Sequence, residues 1–400
     1  MPDSSIWQDE GCQRHAPLRG DVRVDVAFIG GGLVALTAAY LLGGHGVRVA
    51  VLEARTVGSG ASGQGTGALT ALPGLRYDAL INRLGAQAAG AIAHTHAQAV
   101  SLMAGIVAEE EIACGLSAQD AFCYGGEADL AALEREQRAL ERLGLPARLT
   151  EGGSFPVAHR AALSLPYQAS LHPVKLMCGL ASAVSRQGGR IFEDSPALRV
   201  AGNVIYTSGG SLRALNIVGT AQAAAVEGWP PLRLAVSTAA MAALWGAPAV
   251  QGLWAPAGGG PTFTPHGEQL IASLAPGKAA GPMDAGNLRR WAAQALPGAQ
   301  VAREWLCPQA SAGDGLPLVG KVSAGEPTHL QAAGVGRWGL AQAAAAAQLL
   351  CDIVLDRANP LAGLFAPGRR EGTAAQMAMR RASYAVEAAG AFATRLFQRK

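Results

Sequence analysis

The run Gly30-Gly31-Gly32-Leu33-Val34-Ala35 constrains this chain more than any other feature, because of what flanks it. Residues 22–29 alternate and then turn wholly apolar, the mark of a strand entering a buried core. Residues 33–42 form an apolar helical run that Gly43, Gly44 and Gly46 stop. Residues 47–52 are a second apolar strand, and it ends at Glu53. Strand, glycine turn, helix and strand at this spacing make a right-handed βαβ crossover, which requires a parallel sheet.

The turn matches G-x-G-x-x-A. Gly30 permits the tight bend, Gly32 lets a pyrophosphate approach the backbone, and Ala35 lets helix and strand pack closely. Free N–H groups and the dipole at the helix N-terminus favour the phosphate charge. Glu53 stands at about the twenty-residue interval expected of the carboxylate that accepts ribose hydroxyls, and an acid there disfavours a 2′-phosphate. A second glycine-rich loop, 58–67, follows at once. An NAD domain has no need of it, whereas an extended FAD needs backbone donors along its ribityl chain and flavin edge. FAD is therefore expected; the other reading of the loop is a flexible linker.

The chain of 400 residues allows a cofactor domain and a second one covering it. With 50% apolar and 15% charged residues it can bury a large core, and its Ala and Gly excess has a bacterial, GC-rich cast. A net charge of +3 is too small to imply nucleic acid. Six scattered cysteines without a CxxC pair read as reduced thiols in a cytoplasmic protein. Residues 1–20 are polar and lack the apolar core of a secretory signal. No stretch is expected to have the apolar length of a membrane span; 341–355, interrupted by Gln342, Gln348 and Asp352, should be a buried helix.

Further along, long helices are expected at 86–111 and 127–143, a loop at 156–166, a helix at 173–186 and a strand at 190–192. A hairpin should turn at Ser208-Gly209-Gly210, and 230–282 reads as irregular and β-rich. Residues 369–400 look like a basic tail helix with no place in the core.

The segments DVAFIGGGLVALTAAYLLGGHGVRVAVLEA (25–54) and VGSGASGQGTGALT (57–70) resemble the D-amino-acid oxidase (DAO) family of FAD-dependent oxidoreductases, which includes sarcosine oxidases and glycine oxidase. Trp305, DGLPLVG (314–320) and GVGRWGL (334–340) agree with that family's later motifs. LRY (75–77), QASLHP (168–173) and NPLAGLF (359–365) are similar to a bacterial subgroup that often carries a C-terminal Rieske domain. The likeness runs from about residue 7 to 370. Beyond 365 there is neither Cys nor His, so these residues hold no Rieske cluster. Gly65 and Ala68 stand where members usually have Thr and Lys, and Leu306-Cys307-Pro308-Gln309 where many amine oxidases place an Arg.

The resemblance implies an α/β fold: a Rossmann-type FAD domain from 20–85, 168–225 and 305–362, a β-rich α+β substrate domain from 86–167 and 226–304, and a tail at 363–400. It implies oxidation of an amine or amino acid by hydride transfer to flavin N5, with the protein orienting substrate. Carried over residue by residue, the cofactor contacts are Gly30, Gly32, Leu33, Val34, Glu53, Ala54, Arg55, Gly60, Ala61, Ser62, Thr66, Val200, Thr220, Asp314, Gly336, Arg337, Trp338, Gly339 and Leu340. The helix opening near Gly339 should direct its positive end at the flavin N1/O2 edge.

Gln309, Arg337 and Trp338 are the pocket candidates, Trp338 as a wall and Arg337 as partner of a substrate carboxylate. FAD is expected to be non-covalent, although Cys307 precedes Asp314 by the interval of the flavin-linked cysteine in monomeric sarcosine-type oxidases. No metal is expected: His94 and His96 diverge on a helix, His172 reads as structural, and His266 as part of a solvated loop. The alternative function is a flavin-bearing subunit or degenerate paralogue that works through a protein partner, reached by the tail.

Overall fold

The computed structural model describes residues 4–151, 155, 157–220, 226–230, 234–274, 285–323, 325–336 and 339–369. The expected crossover is present as β1 (Gly20–Ile29), α1 (Leu33–Gly44) and β2 (Val49–Leu52). Every residue of β2 is buried and β1 is apolar and buried from Val26 to Ile29, which suits strands covered on both faces. They lie within an eight-stranded sheet whose parallel heart runs, in spatial order, Glu326–Ala333, Gly210–Thr220, β1, β2, Arg190–Phe192. Leu318–Ser323 closes one edge antiparallel, and Val204–Tyr206 forms the expected hairpin with Gly210–Thr220.

The second sheet has nine strands and is mostly antiparallel. The region expected to be irregular and β-rich holds, among its described residues, four regular strands, Ala235–Trp245, Leu253–Pro256, Pro261–His266 and Gln269–Leu274. Gly246, Gly252, Gly260 and Gly267 take left-handed backbone at or near their ends, so the glycines and prolines punctuate these strands without dissolving them. The loop expected at 156–166 is corrected likewise: Ala161–Ser170 is a strand, paired with Ser117–Gly125. The expected domain boundary at 305 falls inside the strand Gln300–Ser311, which pairs with Ala235–Trp245, and that at 167/168 inside Ala161–Ser170.

The helix Gly339–Val354 is almost wholly buried and packs on α1 and on Ala86–Glu109. Ala86–Glu109 corrects one expectation, since it is long and apolar enough by length and composition to cross a membrane. Its Ile92, His96, Val100, Met103 and Ile106 form a buried stripe, which makes it a core helix. Its many alanines add apolar length without bulk.

The cysteines bring a second correction. Cys12 and Cys178 are joined in a disulfide across 166 residues, while Cys114, Cys123, Cys307 and Cys351 are free and buried. Neither spacing nor neighbours in the chain marked this pair; folding the N-terminal segment across the helix Pro173–Arg186 brings it together.

The first tail residue does have a place in the core. The Arg369 guanidinium donates to both carboxylate oxygens of Asp314 at 2.8 Å and to the carbonyls of Leu316 and Pro317. Residues 370–400, the rest of the expected tail helix, lie outside the described residues.

Candidate active site

The carboxyl ends of four of the five parallel strands converge on one cavity of about 390 Å³. Ile29 delivers Gly30, Leu52 delivers Glu53, and Thr220 and Ala333 end the other two. This is where an open α/β sheet leaves a crevice. Two helices begin at it, α1 through Gly32 and Leu33, and Gly339–Val354 through Gly339 and Leu340. Both therefore offer the positive end of a dipole to whatever lies between them.

Gly30 sits at φ 107°, and a Cβ there would stand 2.4 Å from the Thr220 hydroxyl oxygen, whose proton goes to the Ile29 carbonyl. The bend can only be glycine. Gly32 differs: its backbone is extended, and a Cβ would meet only Ser62 Oγ, at 3.3 Å. The space before it is open, as a pyrophosphate requires. Glu53 accepts from the Gly31 N–H at 2.7 Å and the Arg55 N–H at 2.9 Å, so its carboxylate is held at the cavity wall.

The loop 58–67 is compact rather than a linker. A Cβ on Gly63 would overlap the Gly58 carbonyl, and one on Gly67, at φ 81°, would lie 2.3 Å from the Leu171 carbonyl. Its own carbonyls are gripped from outside. Ser5 Oγ donates to Gly63, Trp7 Nε1 to Gly65, Gln8 Nε2 to Gly58, and Trp305 Nε1 to Gln64. The buried Glu193 accepts from the N–H groups of both Val57 and His15, tying the loop's entry to the same N-terminal strap.

The second sheet closes the other side with Val236, Met241, Trp254 and Phe263, and with the neutral polar groups of Thr262, Thr264, Ser273 and Gln309. Thr70, Leu72 and Pro73 add a third wall, fixed by the Tyr77 hydroxyl on the Ala71 carbonyl and by Gln168 accepting from the Ala71 N–H. Sequence reasoning missed all of these except Gln309. The strand alternation within 234–274 was the available signal, masked by the glycines and prolines at the turns.

Of the expected contacts, Gly30, Gly32, Leu33, Val34, Glu53, Gly60, Ala61, Ser62, Thr66, Thr220, Gly336, Gly339 and Leu340 line the cavity, as do Cys307 and Gln309. Ala54, Arg55, Val200 and Asp314 are not among the residues that line it. Arg55 reaches the Ser59 carbonyl, Val200 is buried in the short hairpin beside the main sheet, and Asp314 pairs with Arg369. Arg337 and Trp338 lie outside the described residues.

His266 is not in a solvated loop: its ring packs 4.7 Å from that of Trp7, beside His172. His172 Nδ1 accepts from the Lys175 N–H and caps its helix; burial lowers its pKa to about 4. His96 is also buried, and desolvation lowers its pKa to about 4. Among the described residues no cluster of His, Cys, Asp and Glu is placed to hold a metal.

A model of the DAO family, described as FAD dependent oxidoreductase, matches residues 25–353. The chain belongs to that family. FAD is its cofactor, and the open glycine cradle, the carboxylate at the end of β2 and the two converging helix ends fit an extended dinucleotide. A Bacillus subtilis protein named for a Rieske 2Fe-2S centre, YhfW, is 27% identical over 88% of this chain and 72% of its own length. The gamma-glutamylputrescine oxidoreductase of Escherichia coli is 26% identical over 49% of this chain and 48% of its own. Among solved structures, glycine oxidase from Geobacillus kaustophilus superposes with a TM-score of 0.73 at 23% identity, covering 88% of this chain and 100% of that one. L-proline dehydrogenase from P. horikoshii gives 0.73 at 16% identity over 88% and 98%. These structures share the fold.

The disulfide staples the strap that grips the loop 58–67. Cys12→Ser is expected to lower unfolding stability by about 2–4 kcal/mol, the usual effect of opening a long covalent loop. Urea melts with and without a thiol reductant measure it; equal midpoints for wild type and variant under oxidising conditions would refute the pairing.

Proposed function

We propose that this chain oxidises a small amine or amino acid in the cavity between its two sheets. The observation that carries this reading is the continuity of the cavity: it runs from the glycine cradle at the strand ends to the inner face of the second sheet, so a cofactor laid on the cradle would face the second sheet across a largely apolar space. Bound FAD would supply the acceptor for a hydride from the carbon bearing the nitrogen. The protein's part is placement and charge. Gly32 and the start of α1 would receive the pyrophosphate, Glu53 would accept from a ribose hydroxyl, and the start of the Gly339–Val354 helix would favour negative charge at the ring's edge. The aromatic and aliphatic wall excludes water and holds the substrate carbon against the flavin.

The test is anaerobic mixing of the yellow protein with a panel of secondary amines and amino acids. Loss of the flavin's visible absorbance with at least one of them supports the reading; an FAD-loaded protein that no amine bleaches overturns it.

The FAD is expected to be non-covalent. Burial pushes the Cys307 thiol up to about 12, so at neutral pH it is almost wholly protonated and a poor nucleophile toward the 8α position. Acid precipitation should leave all yellow colour in the supernatant and an unmodified Cys307 peptide mass. Colour kept in the pellet and released by Cys307→Ala would reverse this.

A cytoplasmic location was expected from scattered thiols, and the Cys12–Cys178 pair removes two of the six from that argument. Alkylation of the protein as isolated from its own cells, read by peptide mass, decides whether the pair is oxidised there.

A further inference from the structure

The loop 58–67 is held from behind by two indoles on successive peptides. Trp305 Nε1 donates to the Gln64 carbonyl at 2.8 Å and Trp7 Nε1 to the Gly65 carbonyl at 2.7 Å. Neither tryptophan lines the cavity, whereas Gly65, Thr66 and Gly67 do, so the Gly65 carbonyl faces away from it. A trans peptide is planar and sets its N–H opposite its C=O. The grip of Trp7 on the Gly65 carbonyl therefore turns the next N–H, that of Thr66, toward the cavity. Among the described residues that N–H has no acceptor. Gly65 itself is extended, φ −75° and ψ −176°, and a Cβ on it would meet nothing nearer than 4.0 Å, so no packing of its own fixes this peptide.

Trp7 can fix it because its ring has no room to turn. It is 1% exposed, and its ring meets those of His172 and His266 close to edge-on, at 4.9 and 4.7 Å. His172 is held by the Lys175 N–H, and His266 ends the strand Pro261–His266, whose Thr262, Phe263 and Thr264 line the cavity. The strap is tied on either side of the ring, by Ser5 to Gly63 and by Cys12 to Cys178. A buried indole locked among other rings presents its N–H in one direction.

Position along the loop decides what the Thr66 N–H would meet. Ser62 Oγ accepts from the Leu33 N–H at 3.3 Å, which places Ser62 beside the start of α1, where a pyrophosphate belongs. Thr66 lies further along, on the side of the second sheet: Trp305, which holds Gln64, is paired in that sheet with Met241, a cavity residue. An FAD extended from the glycine cradle would bring its ring to this end. An N–H donor at the ring's electron-rich edge favours the negative charge that reduction places there, and so raises the flavin's potential.

We infer that Trp7 is a positioning residue for the flavin, holding the Gly65 peptide so that the Thr66 N–H donates to the electron-rich edge of the ring. The inference rests on FAD binding alone and needs no particular substrate.

The test replaces Trp7 in the full chain, site-specifically, by 3-benzothienylalanine, which keeps the two fused rings and puts sulfur in place of the N–H. Trp7→Phe removes the same donor together with part of the ring. FAD affinity is read by titrating the FAD-free proteins, and the flavin's midpoint potential by equilibration with a redox dye at saturating FAD. Both proteins should bind FAD about three- to tenfold more weakly than wild type, the effect of one net hydrogen bond. Both should also show a more negative midpoint potential. Urea melts of the FAD-free proteins separate packing from positioning, because only Trp7→Phe leaves a gap in the core. An isostere protein with the wild-type potential overturns the inference, whatever its FAD affinity or its melt, since a donor whose loss leaves the potential untouched does not face the ring. A potential that falls only in Trp7→Phe, together with its stability, overturns it equally.

Discussion

Gly32→Val is expected to give a folded protein that purifies without colour, its affinity for FAD reduced by about 100-fold or more, since each tenfold is about 1.4 kcal/mol and the valine occupies the pyrophosphate's place. The backbone at Gly32 is extended, φ −88° and ψ 178°, which valine adopts readily, and the only neighbour of its Cβ is Ser62 Oγ at 3.3 Å. The damage should therefore fall on the ligand and spare the fold. Gly30→Val is the contrasting case. It needs φ 107° and puts a carbon 2.4 Å from Thr220 Oγ1, so both fold and flavin should be lost. Flavin content of the purified proteins, with far-ultraviolet circular dichroism melts, separates the two. A fully yellow Gly32→Val protein would mean that the pyrophosphate does not pass over this residue.

Arg369→Ala is expected to destabilise the protein by about 3–5 kcal/mol, because it strands a buried carboxylate and several carbonyls together. Asp314 and Arg369 are both about nine-tenths buried, and the guanidinium also serves the Leu316, Pro317 and Ala366 carbonyls. Burial alone would raise the Asp314 carboxyl pKa; the Arg369 hydrogen bonds and charge, helped by the Leu316 N–H, outweigh it and hold the group below its ordinary range. A carboxyl with a lowered folded pKa stabilises fully above its unfolded value of about 3.9 and loses that contribution as pH falls through the folded value. The gap between wild type and Arg369→Ala in urea melts should therefore be widest near neutrality and narrow below about pH 4. A gap that stays constant across that range would show that Arg369 acts through its carbonyl contacts alone.

What could be read along the chain was whatever local spacing carries. The βαβ unit, the bend at Gly30, the carboxylate of Glu53, the helix Pro173–Arg186 and the hairpin before Gly210–Thr220 all announce themselves within about thirty residues, the size of one supersecondary unit. Fold class and a dinucleotide site followed from them, because a strand, a glycine turn and a helix leave the backbone few alternatives; FAD rather than NAD followed from the loop 58–67. The second glycine loop was also legible as a loop, but not its rigidity: its carbonyls are held by Ser5, Trp7 and Gln8, some fifty or more residues earlier, and by Trp305, 241 residues later than its partner Gln64.

The same limit explains each correction. Val200, Asp314 and Arg55 lie off the cavity lining, and which side of a strand or turn meets the cavity is set by packing against distant elements. Cys12 and Cys178 meet only because the strap crosses a helix, and Arg369 finds Asp314 only after the last helix has turned back on the sheet. The uncharged wall of Trp254, Phe263, Thr264 and Ser273 is assembled from three strands that the sequence marks merely as apolar. Periodicity along a chain reports that a residue is buried; what it is buried against is decided by long-range contacts, and at this site that is what separates the glycine cradle from the wall opposite it.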